Sequence, residues 1–394
     1  MSARAYLIAL MAGIALVLGL TAGFNRVVDP FWYYRDIEIP GLNAVKTKVE
    51  RFERHVKPQV LARERPEAIV LGSSLAEIGF DPRNAAFTDG GRLAGYNFAF
   101  AGTGWDRLPC YLEYALVHAP VRRVVIGIHP GALPRVDCAG KLPEIEEFSH
   151  AKLLLSRRAL KASLDTVREQ RRGRPSHTRE GMYFYARGAP GVESRFREFF
   201  TARLYRGGSC DRAALAADPP RAVTLAPALP AAANVDLAGL ERVLRLAADH
   251  GVELRLFAYP SHALSLELEA VCGGWDERWA ALASIAALVE RAPGNVQLWE
   301  FYGYNEWTGE PVMGGNPVYW QDPEHFNFEF GGFILDAMFG GPGMPPGLGR
   351  RVTVAGLPQA YRQFVAGRSA WLAGHPQLLG ELRTLTRVGD AGVR

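Results

Sequence analysis

The chain has 394 residues, of which 48% are hydrophobic, 22% charged and 11% aromatic. That composition excludes a disordered or collagen-like chain and supplies enough apolar side chains for a sizeable core. The formal net charge of +4, with six lysines among 45 basic residues, is too weak and too dispersed to point to nucleic acid.

Between Arg4 and Arg26, residues 5–25 carry no charge and are rich in Leu, Ile, Ala and Val. About 20 helical residues, rising about 1.5 Å each, span the roughly 30 Å hydrocarbon core of a bilayer. Residues 1–26 therefore read as a single transmembrane anchor with Arg4 on the inside. A cleaved signal peptide is the rival reading, because Leu20-Thr21-Ala22 resembles a small-residue cleavage site. Either one exports the rest of the chain, which places the main domain in the periplasm, held at the inner membrane. Trp32, Tyr33 and Tyr34 suit an aromatic belt at the outer interface or a place in the core.

The spacing of apolar residues predicts a helix over 42–62. A continuous apolar run at 68–71 then predicts a buried parallel strand, and similar runs recur at 96–100, 124–128, 252–258 and 296–301. Helical stretches alternate with them at 106–118, 152–171, 236–250, 275–291 and 329–339. Such alternation predicts an α/β fold, a parallel sheet sandwiched by helices. Residues 173–233, rich in Arg, Gly, Pro and Ala, interrupt the pattern as an insertion without a core of its own. Residues 340–346 form a Gly/Pro linker to a helical tail over 357–382. The organisation expected is an anchor (1–26), one domain (27–340) and a helical extension (341–394). Cys110, Cys138, Cys210 and Cys272 allow three pairings, and the expectation is one disulfide or buried thiols. No cysteine or histidine spacing suggests a metal site, and no cofactor is expected.

Ligands of parallel sheets bind beyond the carboxyl ends of the strands, so the residues after each apolar run carry the chemistry. The first run is followed by Gly72-Ser73-Ser74-Leu75-Ala76. A serine between a strand end and a helix start presents its hydroxyl beside backbone N–H groups, which suits a nucleophile that needs oxyanion donors. Ser74 is the stronger candidate. Near the other end stands Gln321-Asp322-Pro323-Glu324-His325. An imidazole can serve as the general base for serine, and a carboxylate three residues earlier can reach back to orient it. Gly72-x-Ser74-x-Ala76 also approaches the G-x-S-x-G elbow, but that fold separates its Asp and His widely in sequence.

The ordered set Gly72-Ser73-Ser74, the Gly102 turn after the next strand and Asp322-x-x-His325 resembles the SGNH hydrolase superfamily, which is flavodoxin-like in fold. More narrowly, the chain resembles membrane-anchored SGNH proteins of polysaccharide O-acylation, as in alginate acetylation. Supporting stretches are Asn43-Ala44-Val45-Lys46, the run 96–102 and the run 299–305. The resemblance implies Ser74 as nucleophile, His325 as base, Asp322 as its orienter and Gly102 as an oxyanion-hole donor. It implies an exported O-acyltransferase or acyl esterase, with an acylated glycan as substrate and a membrane-bound acyltransferase as partner.

Two positions depart from that pattern. Ser73 stands where the family often has Asp, and the third strand turn, Gly127-Ile128-His129-Pro130, lacks the oxyanion Asn. One lost donor costs about 10²–10³ in rate, so a non-catalytic assembly or binding subunit is the alternative. His129 and His262, each following a predicted strand, are candidate substrate-binding residues. Trp275, Trp279, Trp299, Trp307 and Trp320 suit either sugar stacking or the core.

Overall fold

The computed structural model describes residues 2–185, 191–206, 210–315 and 317–387. The uncharged N-terminal run forms helix α1 (Ala3–Val28), capped by Ser2, whose side chain accepts from the Ala5 amide at 3.3 Å. Among the described residues it is the one helix long and apolar enough to cross a membrane. Residues 2–20 are exposed throughout, including Leu7, Ile8, Met11 and Val17. The last turn differs. Asn25 and Val28 are buried, and Asn25 Nδ2 donates to the Leu154 carbonyl at 2.8 Å.

The final carbonyls of a helix have no intrahelical partner and carry partial negative charge. Here Asn43 Nδ2 donates to the Val27 carbonyl at 2.6 Å, and Lys46 Nζ donates to those of Val28 and Asp29 at 2.8 and 3.1 Å. The Asp29 carboxylate accepts the amides of Tyr33, Tyr34 and Arg35. Tyr33 packs at a tilt against Phe148, with ring centroids 4.6 Å apart. Residues 42–48 are thus occupied in closing α1 onto the domain, and helix α2 (Glu53–Glu64) begins later than its periodicity predicts.

The chain continues through β1 (Ala68–Leu71), α3 (Ser74–Gly79), β2 (Gly95–Asn97), α4 (Leu108–His118) and β3 (Arg123–Ile128). Short helices come next, α5 (Leu142–Glu146), α6 (His150–Leu155) and α7 (Arg157–Glu169). The last two replace one expected helix because Ser156 caps α7, accepting from the Ala159 amide at 3.0 Å. Then come α8 (Val192–Arg206), α9 (Arg212–Ala216), α10 (Ala238–Asp249), β4 (Glu253–Ala258), α11 (Ala263–Val271) and α12 (Trp275–Glu290). The chain closes with β5 (Val296–Glu300), α13 (Phe328–Phe339), β6 (Arg350–Val352), α14 (Leu357–Gly374) and α15 (Leu378–Thr386).

The strand order is β2-β1-β3-β4-β5-β6, parallel except for β6, which pairs antiparallel with β5. The central strands are apolar throughout because successive side chains enter opposite faces and both faces are covered. Ile69 and Leu71 join one core with Val124, Ile126, Leu254 and Leu256, while Ala68 and Val70 join the other with Val125 and Phe257. β2 ends at Asn97 rather than at residue 100. Beyond it, the Phe98 and Phe100 amides still donate to the carbonyls of Val70 and Gly72.

Three expectations about organisation change. The segment after 340 is not an appendage, since β6 completes the sheet and Tyr361, Phe364, Leu382 and Leu385 are buried in the two cores. The insertion contributes Phe196, Phe200 and Leu204 to the same core as α15. All four cysteines are paired, Cys110 with Cys138 and Cys210 with Cys272, the second bridge tying the insertion to the end of α11.

Candidate active site

The turn that carries Ser73 and Ser74 is built at the carboxyl end of β1. Ser73 is the N-cap of α3, its Oγ accepting from the Leu75 amide at 3.4 Å, so its hydroxyl is committed to the helix start. Ser74 is the first helical residue and leaves its hydroxyl free for another partner. From the end of β4, Tyr259 crosses over β3 and receives the Ser73 amide on its hydroxyl at 3.4 Å. Glycines clear the path. A Cβ on Gly72 would lie 2.4 Å from the Tyr259 oxygen, and one on Gly127 would lie 2.1 Å from the ring. Burial pushes the Tyr259 phenol up to about 12, so it stays neutral.

His325 reaches the same point from the segment before α13. Trp320 and Phe326 form an isolated antiparallel bridge, and the Gln321 amide donates to the His325 carbonyl at 2.9 Å. Asp322 Oδ1 accepts the amides of Glu324 and His325, both at 2.9 Å, which closes the turn. His325 Nδ1 lies 2.8 Å from Asp322 Oδ2, and His325 Nε2 lies 2.8 Å from Ser74 Oγ. Burial alone would raise the Asp322 carboxyl. The His325 ring and the two amides outweigh it and hold the group below its ordinary value. An acceptor, an imidazole and a hydroxyl thus stand in one hydrogen-bonded line. Such an arrangement can remove a proton from a serine hydroxyl and stabilise the imidazolium that results.

Gly102 sits in the turn after β2, with φ +66°. The turn is clamped to the serine's own helix. Glu77, one turn after Ser74, accepts the Ala101 amide at 2.8 Å, and Lys57 Nζ bridges Glu77 at 2.5 Å and the Ala99 carbonyl at 2.7 Å. Arg54 donates to the Ala101 carbonyl and to Thr103 Oγ1. Burial opposes the charge on Glu77, but the Lys57 ammonium prevails and holds the carboxyl at about 2. Glu53, Glu77 and His177, all buried, bring one ligand atom each within 4.8 Å of one another, the one such group among the described residues. Lys57 already supplies the cation there.

The remaining candidates separate. His129 is exposed at the end of β3, 4.9 Å from the Tyr259 ring, and lines a cavity of about 170 Å³ with Ser73, Gly104 and Trp105. His262 does not face substrate. It is fully buried, its Nε2 lies 2.9 Å from the Glu310 carbonyl, and its Nδ1 accepts the Leu264 amide as the cap of α11. Burial lowers it to about 4, so the ring is neutral. Trp275, Trp279 and Trp320 are core residues, and none of the five tryptophans lines the groove that runs from α3 to Phe328.

That groove, about 580 Å³, was not expected. It runs from Ile78 of α3 along Tyr183, Phe184 and Tyr185 to Phe328. The Tyr185 ring lies nearly parallel to that of His325, at 14° and 5.7 Å. The one sequence signal for it is the Tyr-Phe-Tyr run at 183–185, inside the segment read as an irregular insertion. No protein-family model matches this chain, and no curated protein is significantly similar to it.

Proposed function

We propose that this chain is an SGNH-type acyl esterase or O-acyltransferase, anchored in the inner membrane and acting in the periplasm on a cell-envelope or extracellular polysaccharide. The observation that carries the reading is the line Asp322–His325–Ser74, assembled at the carboxyl edge of a parallel sheet. In this reading Ser74 Oγ attacks the acyl carbonyl while His325 takes its proton, and Asp322 stabilises the imidazolium. The negative charge formed on the carbonyl oxygen meets the Ser74 and Gly102 amides. The leaving group departs with the proton from His325, giving an acyl ester on Ser74. Water or a sugar hydroxyl, deprotonated by His325, then attacks that ester and releases the acyl group or its new ester.

The location rests on two features. α1 has the length and exposed apolar surface of a span, and two disulfides suit an oxidising compartment. A membrane-bound acyltransferase that supplies acyl groups belongs to the same proposal. One observation favours a non-catalytic assembly subunit instead. The third strand turn offers His129 where an amide donor would stand. A fluorophosphonate probe separates the two readings. Labelling of the wild type that is abolished in Ser74→Ala and His325→Ala supports the enzyme. Intact protein that neither labels nor releases acetate from acetyl esters refutes it.

A further inference from the structure

Away from the active site, α7 has two unlike faces. Its buried side is made of small residues, Ala159, Ala162, Ser163 and Thr166, which let the helix lie close against its neighbours. On the opposite side Arg157, Lys161, Leu164 and Arg168 are exposed, and exposed Arg171 follows in the turn after the helix. Steps of three and four residues set these five along one stripe. The stripe is basic without compensation. The two acids of α7 are taken up elsewhere, Asp165 by Arg51 at 3.0 Å and Glu169 by Lys48 at 2.7 Å. Among the described residues, none pairs with Arg157, Lys161, Arg168, Arg171 or the adjacent, exposed Arg172 as a counter-ion. Such a row of free cations is a surface for an anionic partner.

Its place in the fold decides which partner. The Leu154 carbonyl at the end of α6 accepts from Asn25, the last residue of the uncharged run. Ser156 then caps α7, and both α6 and α7 pack against α1. On α1 full exposure ends at Thr21, and residues 21–28 rise only about 12 Å. With α1 across a bilayer, α7 therefore stands beside the headgroup layer, which is about 5–8 Å deep, and long basic side chains reach further still. Leu155 at the α6–α7 junction and Leu164 within the stripe are 42% and 40% exposed. Apolar side chains among basic ones are what a helix lying on an acidic membrane surface presents. A soluble polyanion would meet the same charges but gain nothing from the leucines or from the adjoining span.

We propose that the stripe on α7 is a docking surface for acidic phospholipid headgroups of the leaflet from which α1 emerges. It rests on the anchor reading of α1 and is independent of acyl transfer. All four cysteines are paired, so an introduced thiol takes a single label. Full-length protein with a fluorophore on Leu164→Cys is placed in phosphatidylcholine nanodiscs, with or without phosphatidylglycerol, that contain a nitroxide-headgroup lipid. With phosphatidylglycerol the label should be quenched at least two-fold. In phosphatidylcholine alone, or at molar salt, that quenching should be largely lost. Arg157→Gln/Lys161→Gln/Arg168→Gln in the labelled chain should lose it too, at an unchanged melting temperature. A label on Ile14→Cys, quenched by lipid brominated in its acyl chains, reports the span separately. Quenching at Ile14 with none at Leu164 overturns the docking surface and leaves the anchor standing. No quenching at either position removes the anchor and the surface with it. Equal quenching at Leu164 in both lipid mixtures overturns the recognition of acidic headgroups. Saturable binding of heparin in micelles, lost in the triple Gln variant, with no lipid contact at Leu164, would overturn the proposal and assign the stripe to a polymer.

Discussion

Gly331 of α13 lies against the Gly79 carbonyl of α3 so closely that a Cβ on Gly331 would stand 1.5 Å from that oxygen. One helix begins with Ser74 and the other comes just after His325, so this contact is one constraint on the distance between hydroxyl and imidazole. Gly331→Ala must push the helices apart. It should cost about 1–3 kcal/mol as an overpacking change and slow phosphonate labelling of Ser74 far more than the lost stability explains. Labelling at the wild-type rate, with an unchanged melting temperature, would show that the helices can yield without moving the site.

Asp322 does two jobs, holding its own turn through two amides and orienting His325. Asp322→Asn keeps the acceptor for the amides but removes the charge opposite the imidazolium. Labelling should fall by roughly 10²–10⁴ while thermal stability changes little. A variant that loses both together would identify Asp322 as a structural residue.

Lys57 and Glu77 form a buried ion pair, each about 2% exposed or less. Lys57→Met leaves the Glu77 carboxylate without its cation and should cost about 3–5 kcal/mol. Thermal or urea unfolding reads this directly. A loss under about 1 kcal/mol would mean that Glu77 takes up a proton when its partner is removed.

The same pair sets an acid limit. The folded Glu77 carboxyl is held at about 2, below its ordinary value of 4.5, so the stability it contributes is complete above pH 4.5 and drains away as pH falls towards 2. Unfolding free energy measured across that window should decline in the wild type and decline less in Glu77→Gln. Parallel curves would assign the acid sensitivity to other carboxylates.

Asn43→Ala removes the partner of the Val27 and Ile37 carbonyls and of the Ile39 amide. Trypsin should then cut faster at Arg35, with a stability loss of about 1–3 kcal/mol. An unchanged digestion pattern in micelles would show that Lys46 alone closes the junction.

The strands were legible because burial on both faces leaves an unbroken apolar run, as at 68–71, although Phe98-Ala99-Phe100 carries the same signal beyond the end of β2. Ser74, Asp322 and His325 could be singled out because the residue types needed for proton removal are few and stand just beyond strand ends or helix starts. The groove was not legible. Tyr183, Phe184 and Tyr185 lie in a stretch with no period, and their shared surface exists only after 176–185 folds back against α3 and the segment 321–329. His262 misled for a related reason. A histidine after a strand looks the same in sequence whether its nitrogens face solvent or, as here, a carbonyl and a helix amide. Asn43 and Lys46, in a stretch that supports the resemblance, fell inside a predicted helix, since nothing local reveals that their partners include carbonyls some 16–18 residues earlier.

The join between α1 and the domain has no slack. Its last carbonyls are held by Asn43 and Lys46, and its last turn is docked on Leu154. With α1 seated in a bilayer, the domain inherits the helix's tilt, and Ser74 keeps a constant altitude above the lipid surface. Its remaining freedom is to glide and spin in two dimensions. In the proposed acyl transfer, any donor or acceptor must come to that altitude, so a glycan strand would be worked on within a thin layer beside the membrane, and strands further out would lie beyond its reach.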